Sequence, residues 1–346
     1  MVTAEDWLLY RGDAQGTGRT NGTIPDAPQL LWTFKTEGKA PLTATPVVAD
    51  GLVYVGEDDK RFYALSLETG KIVWSFDQGN GYRAPAMVWE GCLYIGDIDG
   101  VFYALDTKTG EKRWEFQTEQ IINNAPNIWK NRVLFTSQDG NLYALDRLTG
   151  DKIWVYESND QLWCFPSMAD DVCFLAACDS FLHVIDLETG TLIRKIDVKA
   201  PTGSTAAVVG DFVYFGTMGK NFFAIDWKKG EIAWSFRCKQ DIEASAAATE
   251  ELVVFGANDR RIHALDLATG EEKWNTPLRQ IIKGGPITDK TRLVIGGMDG
   301  NLYILDLKTG HEIWKYESEG RISGSPVLVG SKLLVANDEG VLYCFQ

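Results

Sequence analysis

Short runs of apolar residues alternate along the chain with brief polar turns, and the alternation repeats. One full copy runs Leu93-Tyr94-Ile95-Gly96, turns at Asp97-Ile98-Asp99-Gly100, continues through Val101-Phe102-Tyr103-Ala104-Leu105, turns again at Asp106 to Gly110, and ends on a strand carrying Trp114. Alternation of this kind reads as buried β-strands, and Asp-Gly is a hairpin signal because both positions tolerate positive φ. A further strand precedes most units behind a proline: Pro46, Pro85, Pro126, Pro166, Pro286 and Pro326. Proline has no backbone donor for a ladder, so it belongs at a strand's first residue. The pattern therefore predicts four short antiparallel strands per unit.

The period is 40 residues, fixed by turn-closing glycines at Gly70, Gly110, Gly150, Gly190, Gly230, Gly270 and Gly310. Four places after the glycine come Trp74, Trp114, Trp154, Trp234, Trp274 and Trp314, with Arg194 as the exception. Four places before it stand Asp106, Asp146, Asp186, Asp226, Asp266 and Asp306, with Ser66 replacing aspartate once. Four strands per ~40 residues is the pattern of a propeller blade. Inner strands starting near residues 46, 86, 126, 166, 206, 246, 286 and 326 give eight blades.

The last unit stops at Gln346, where its Trp-bearing strand should follow, and Leu30-Leu31-Trp32-Thr33-Phe34 mimics Ile72-Val73-Trp74-Ser75-Phe76. A strand over 30–36 is thus expected to complete the last blade and remove an open edge. The expected fold is all-β: a single eight-bladed β-propeller over 1–346. Residues 1–29 form an arm whose Trp7 and Tyr10-Arg11-Gly12-Asp13 pack over the closure.

The motif Ala-Leu-Asp-x-x-Thr-Gly-x-x-x-Trp, from Ala104 to Trp114, Ala144 to Trp154 and Ala264 to Trp274, resembles the tryptophan-docking repeat of the pyrroloquinoline-quinone-like propellers. The resemblance covers residues 30–346 and specifies the fold far better than the function. That family includes quinoprotein alcohol dehydrogenases, the propeller lipoprotein of the outer-membrane barrel-assembly machinery, and propellers attached to sensors. In size the chain is closest to the non-enzymatic members. For the dehydrogenases the resemblance implies a Trp stacked under the quinone, a vicinal cysteine pair above it, and a Glu/Asn/Asp calcium site with an Asp base. This chain has no adjacent cysteines and no long insertions between blades. No cofactor and no enzymatic activity are expected; a quinone-dependent dehydrogenase-like enzyme and a ligand-sensing module of a larger signalling system remain the alternatives.

Net charge of −14 argues against nucleic-acid binding, which needs a basic face, and fits a soluble acidic surface. No apolar run approaches the ~20 residues of a membrane span. Met1 to Asp6 lack the basic patch and apolar run of a signal peptide. The resemblance favours an exported protein, periplasmic or at the cell surface, with its signal removed. Unpaired cysteines inside apolar runs favour the cytoplasm, and the reading leans to export.

Repetition separates structural from functional residues. A residue needed once at a site has no reason to recur around a ring, so Trp32, Trp74, Trp114, Trp154, Trp234, Trp274 and Trp314 read as wedges between blades, and the Asp column as turn caps. The six cysteines are irregularly placed; a Cys173–Cys178 pair is left open. Three scattered histidines make no zinc cluster, and Asp97-x-Asp99-Gly100 lacks the distal Glu of a calcium loop, Lys108 standing there instead, so no metal is expected. His183 and His263 occupy a column of Tyr63, Tyr103, Tyr143 and Tyr303 and read as aromatic substitutes rather than paired bases; His311 follows a turn and reads as solvated.

Function is sought where blades differ. Three residues before each inner strand's opening stand Thr43, Arg83, Asn123, Trp163, Gly203, Glu243, Lys283 and Ser323, a chemically mixed ring suited to a binding mouth. Candidate partner-binding residues are Trp163, Arg83, Asn123, Glu243, Lys283 and Arg321, with Tyr82 added because Pro85 sits one residue early. Trp163 reads either as a hot spot or as a plug packed on Tyr82 or Phe165. The expected partner is a protein, peptide or glycan, bound by a monomer.

Overall fold

A computed structural model describes residues 6–158 and 160–346. Residues 1–5, where the export reading looks for a signal, and Asn159 in the Trp163 loop lie outside the described residues.

Eight four-stranded antiparallel sheets form the blades. In the first, Val47–Ala49, Leu52–Gly56, Phe62–Ser66 and Ile72–Phe76 lie side by side in chain order, from the axis outward. The eighth contains Val327–Val329, Lys332–Ala336 and Val341–Phe345, and its outer strand is Leu30–Lys35. Trp32 pairs with Cys344 and Phe34 with Leu342. Beyond them the Gln29 and Gln346 backbones exchange two bonds of 2.8 Å. The closing strand is where the repeat placed it, and it covers an edge that would otherwise expose a row of unpaired backbone groups.

The Ala-Leu-Asp motif has a geometric purpose. Third and outer strands slip register at Ala64/Leu65, Ala104/Leu105 and Ala264/Leu265, and each alanine lies opposite a tryptophan. The small residue leaves space beside the indole, and the bulge sharpens the local twist. The indole then reaches the next blade: Trp74 Nε1 donates to the Thr107 carbonyl at 2.9 Å, Trp234 to Leu267 at 3.1 Å, and Trp274 to Leu307 at 3.0 Å. Trp32 makes the same contact from the closing strand to Leu67, at 3.0 Å. Gly110 has φ 73°, and a Cβ there would lie 2.7 Å from the Trp74 ring, so the turn needs glycine twice over.

Three departures have causes. Arg194 replaces the indole with its guanidinium, donating to the carbonyls of Lys229 at 3.0 Å and Lys228 at 3.1 Å. The Trp154 N–H has no partner among the described residues because Arg132 takes the equivalent Leu187 carbonyl, at 2.5 Å. Trp314 faces a blade whose third and outer strands come from opposite ends of the chain, and packs on Phe345 at 5.7 Å.

The core lies between blades. One apolar cluster joins Val47, Tyr54, Ala64 and Trp74 of the first blade to Leu93, Tyr103 and Leu105 of the second. The Asp column serves the turns: Asp106 Oδ1 accepts from the amides of Lys108 at 2.9 Å and Thr109 at 3.1 Å. All six cysteines are free. Cys173 sits mid-strand opposite Met168 and Ile185, whereas the Cys178 thiol turns to the Thr202 carbonyl at 3.6 Å, so those two do not pair.

Candidate functional site

The N-terminal arm meets the closing blade, whose apolar cluster takes in Trp7 and Ile24, but it is not confined to the closure. It runs round the inside of the ring. Backbone bonds of 2.8–2.9 Å join Trp7 to Val48, Leu8 to Val88, Ala14 to Met168, Gln15 to Val208, Thr17 to Ala248 and Gly18 to Thr288. Asn127 of the third blade adds a bond from Nδ2 to the Ala14 carbonyl at 3.0 Å. Each inner strand would otherwise present unpaired groups to the axis, and the arm satisfies them in succession.

Arg11 turns from the arm into the axis and is fully buried. Its guanidinium donates to Ser325 Oγ at 3.2 Å and to the carbonyls of Ala246 at 2.8 Å and Pro286 at 2.5 Å, tying three blades together. Burial pushes its pKa below the ordinary value, against the pull of Tyr10 and Asp13. Small residues make the space: a Cβ on Gly285 would lie 2.5 Å from Arg11 Nη1. Across the axis Phe165 meets the Tyr10 ring edge-on at 5.9 Å.

The arm thereby gives the axial channel a floor. On the side where the inner strands begin, a cavity of ≈ 160 Å³ remains, with Tyr10 at its base and Thr43, Arg83, Asn123, Lys283 and Ser323 among its walls. Arg83 Nε lies 3.3 Å from Asp58, which accepts the Thr43 hydroxyl at 2.5 Å. Lys283 lies 3.6 Å from Glu243, which takes the Asn258 amide at 2.6 Å. Both cations stay exposed while leaning on these carboxylates.

Of the candidates, Arg83, Asn123 and Lys283 come together around the cavity. Glu243 stands behind Lys283. Trp163 is on the rim beyond the cavity, 41% exposed, with Nε1 donating to Gln161 at 2.8 Å. That exposure does not suit a plug, and Phe165 and Tyr82 pack on other rings, Tyr10 for the one and Phe62 and Phe76 for the other. Arg321 is exposed, its amide bonded to Asp338 at 2.7 Å. Tyr82 is a correction: it is wholly buried in the column of Leu42, Ile122 and Ile242, and its hydroxyl accepts from the Gly79 amide at 2.9 Å. The early proline did not move the register, so Arg83 alone faces the mouth.

The two buried histidines are a second correction. His183 Nε2 lies 2.9 Å from Asp179 and its Nδ1 2.6 Å from the Tyr156 hydroxyl. His263 contacts Asp259 and Glu272. Both keep the pattern set by Tyr143 and Tyr303, whose hydroxyls donate to Asp139 and Asp299 at 2.7 Å, so the imidazoles are paired groups rather than plain aromatic fillers. Asp97, by contrast, spends its carboxylate on the amides of Asp99 and Val101 and the Tyr103 hydroxyl, as an ordinary turn does.

A family profile described as outer membrane protein assembly factor BamB matches residues 24–91, 81–167 and 179–346. The chain belongs to that family. Among solved structures it is similar to BamB from Moraxella catarrhalis, at 17% identity and TM-score 0.79, over 92% of this chain and 99% of that one. It is equally similar to the computationally designed Ika8 protein, at 17% identity and TM-score 0.81 over the same shares. Quinohemoprotein alcohol dehydrogenase from Comamonas testosteroni matches at 15% identity and TM-score 0.82, over 99% of this chain and 80% of that one. No curated protein matches the sequence significantly. At such identities the structural likenesses speak for the fold alone.

The quinone implied by those dehydrogenases does not fit the residues present. The indole that could stack beneath it, Trp163, is on the rim. Cys164 is fully buried between Trp163 and Phe165 without a vicinal partner. Glu243 is committed to Lys283 and Asn258. The cavity is below the ~300 Å³ at which small-molecule sites begin.

Proposed function

We propose that this family member is a non-enzymatic recognition propeller, a scaffold that binds a protein or peptide segment across its loop-bearing mouth. The observation that carries the reading is the floor built by the arm. With Arg11 in the axis, the channel is a shallow polar cup of ≈ 160 Å³ rather than a tunnel or deep pocket. A cup ringed by Arg83, Asn123 and Lys283, with Trp163 exposed beside it, suits the end or loop of a larger partner better than an enclosed ligand. The family's description as an outer membrane protein assembly factor supports a protein partner and an exported location. Among the described residues no helix is long and apolar enough to cross a membrane. In this reading the propeller acts as a monomer, its eighth blade completed by its own Leu30–Lys35 strand rather than by a second chain.

Photocrosslinking amino acids at Arg83, Trp163 and Lys283 test this in the source organism. All three should trap one common protein, while a crosslinker at Lys130, on the opposite face, should not. Trapping from Lys130 alone, or three unrelated partners, would overturn the proposal.

A further inference from the structure

We propose that Cys238, Asp259 and His263 form a binding site for a divalent transition cation of the zinc type, at the junction of the fifth and sixth blades. The three residues offer a thiol, a carboxylate oxygen and an imidazole nitrogen within 4.8 Å of one another. Cys238 and His263 are buried, and the Asp259 side chain is only 4% exposed. Thiolate, imidazole and carboxylate are the donor types zinc takes.

The imidazole geometry points to a cation. His263 Nδ1 lies 2.7 Å from Glu272, the length of a strong charge-assisted bond, so that nitrogen carries the proton. Its Nε2 faces both oxygens of Asp259 at 3.3 and 3.2 Å. With Nδ1 committed to Glu272, Nε2 is the nitrogen left to ligate, and it and the Asp259 oxygens lie within 4.8 Å of the Cys238 thiol. Bonds of about 2.0–2.3 Å at tetrahedral angles set donors roughly 3.3–3.7 Å apart, which matches this spacing. Glu272 supplies the outer carboxylate that commonly orients a metal-ligating histidine. Phe236 and Phe255, with ring centroids 5.6 and 5.4 Å away, fix the ring plane. Binding displaces the Cys238 proton to solvent and leaves a thiolate, a carboxylate and a neutral imidazole around the dication.

The other blades supply substitutions that remove the ligands and keep the fold. Thr118 and Ser318 stand at the Cys238 position, with hydroxyls donating to the carbonyls of Gln120 at 2.7 Å and Gly320 at 2.6 Å. Tyr143 and Tyr303 stand at the His263 position and donate to the aspartates matching Asp259. Cys238→Ser and His263→Tyr should therefore fold like metal-free wild type. Chelator-stripped protein titrated with Co²⁺ should take up one equivalent and develop a thiolate-to-cobalt charge-transfer band. The band should vanish in Cys238→Ser, binding should be lost in His263→Tyr, and affinity should fall roughly 10–100-fold in Glu272→Gln. Absence of the band in wild type, or its persistence in Cys238→Ser, would overturn the assignment. So would His263 ring signals that added Zn²⁺ leaves unchanged by NMR.

Discussion

A tryptophan that packs against one blade and hydrogen-bonds the next cannot be shortened without loss on both sides. Trp74→Ala should cost about 3–5 kcal/mol in urea unfolding, as large aromatic truncations in packed cores do. Trp163→Ala, removing a half-exposed ring bonded only to Gln161, should stay within about 0.5 kcal/mol. Equal losses at the two positions would contradict the division between structural and rim residues. The His183–Asp179 pair gives a pH signature. Burial lowers the His183 pKa, against the attraction of Asp179. The unfolded chain therefore takes that proton more readily than the native one, and stability falls as pH drops through the ordinary histidine value of about 6.5. Asp179 acts in the same sense: burial would raise its pKa, but Lys195 and His183 hold it low, so its stabilisation also disappears in acid. Replacing the imidazole by the repeat's own residue, His183→Tyr, should flatten the loss of melting temperature between pH 7 and 5; an unchanged slope would count against it. Sequence alone exposed the Trp, Asp and Gly columns because each repeats. It could not expose the imidazole–carboxylate pairs, since Asp179 and Asp259 look like any other turn aspartate until the strands bring them against the rings.

Among elements, the closing strand was legible and the arm was not. Leu30 to Phe34 copies an outer strand residue for residue, and the final unit visibly lacks one. The arm lies outside the 40-residue period, so nothing in the repeat indicated its path. One signal did exist: the positions just inside the mouth carry Phe165 in the fourth blade but Ser245, Gly285 and Ser325 in the sixth to eighth. That run of small residues is the space Arg11 fills. Arg11→Ala should leave the Ala246 and Pro286 carbonyls unpaired and cost about 1–3 kcal/mol. Far-UV circular dichroism should stay that of an intact propeller, because each blade keeps its four strands. A collapse of the β signal would mean the arm nucleates the ring rather than lining it.

At the scale of the whole molecule, eight near-equivalent blades give a rigid ring whose repeated residues are spent on holding it together. The net charge of −14 favours solubility and does not suit a polyanionic partner. Pyrroloquinoline quinone with Ca²⁺ should give neither a stoichiometric absorbance change nor dye-linked alcohol oxidation, because the floored cup lacks room and stacking surface for it. The central claim is that the unlike residues of the mouth bind and the repeated ones do not. Its most direct measurement is the crosslink from Asn123 in a chain carrying Arg83→Ala, Trp163→Ala and Lys283→Ala, read beside its melting temperature. The account predicts an unchanged melting temperature and a lost crosslink; a large drop in stability, or an undiminished crosslink, would contradict it.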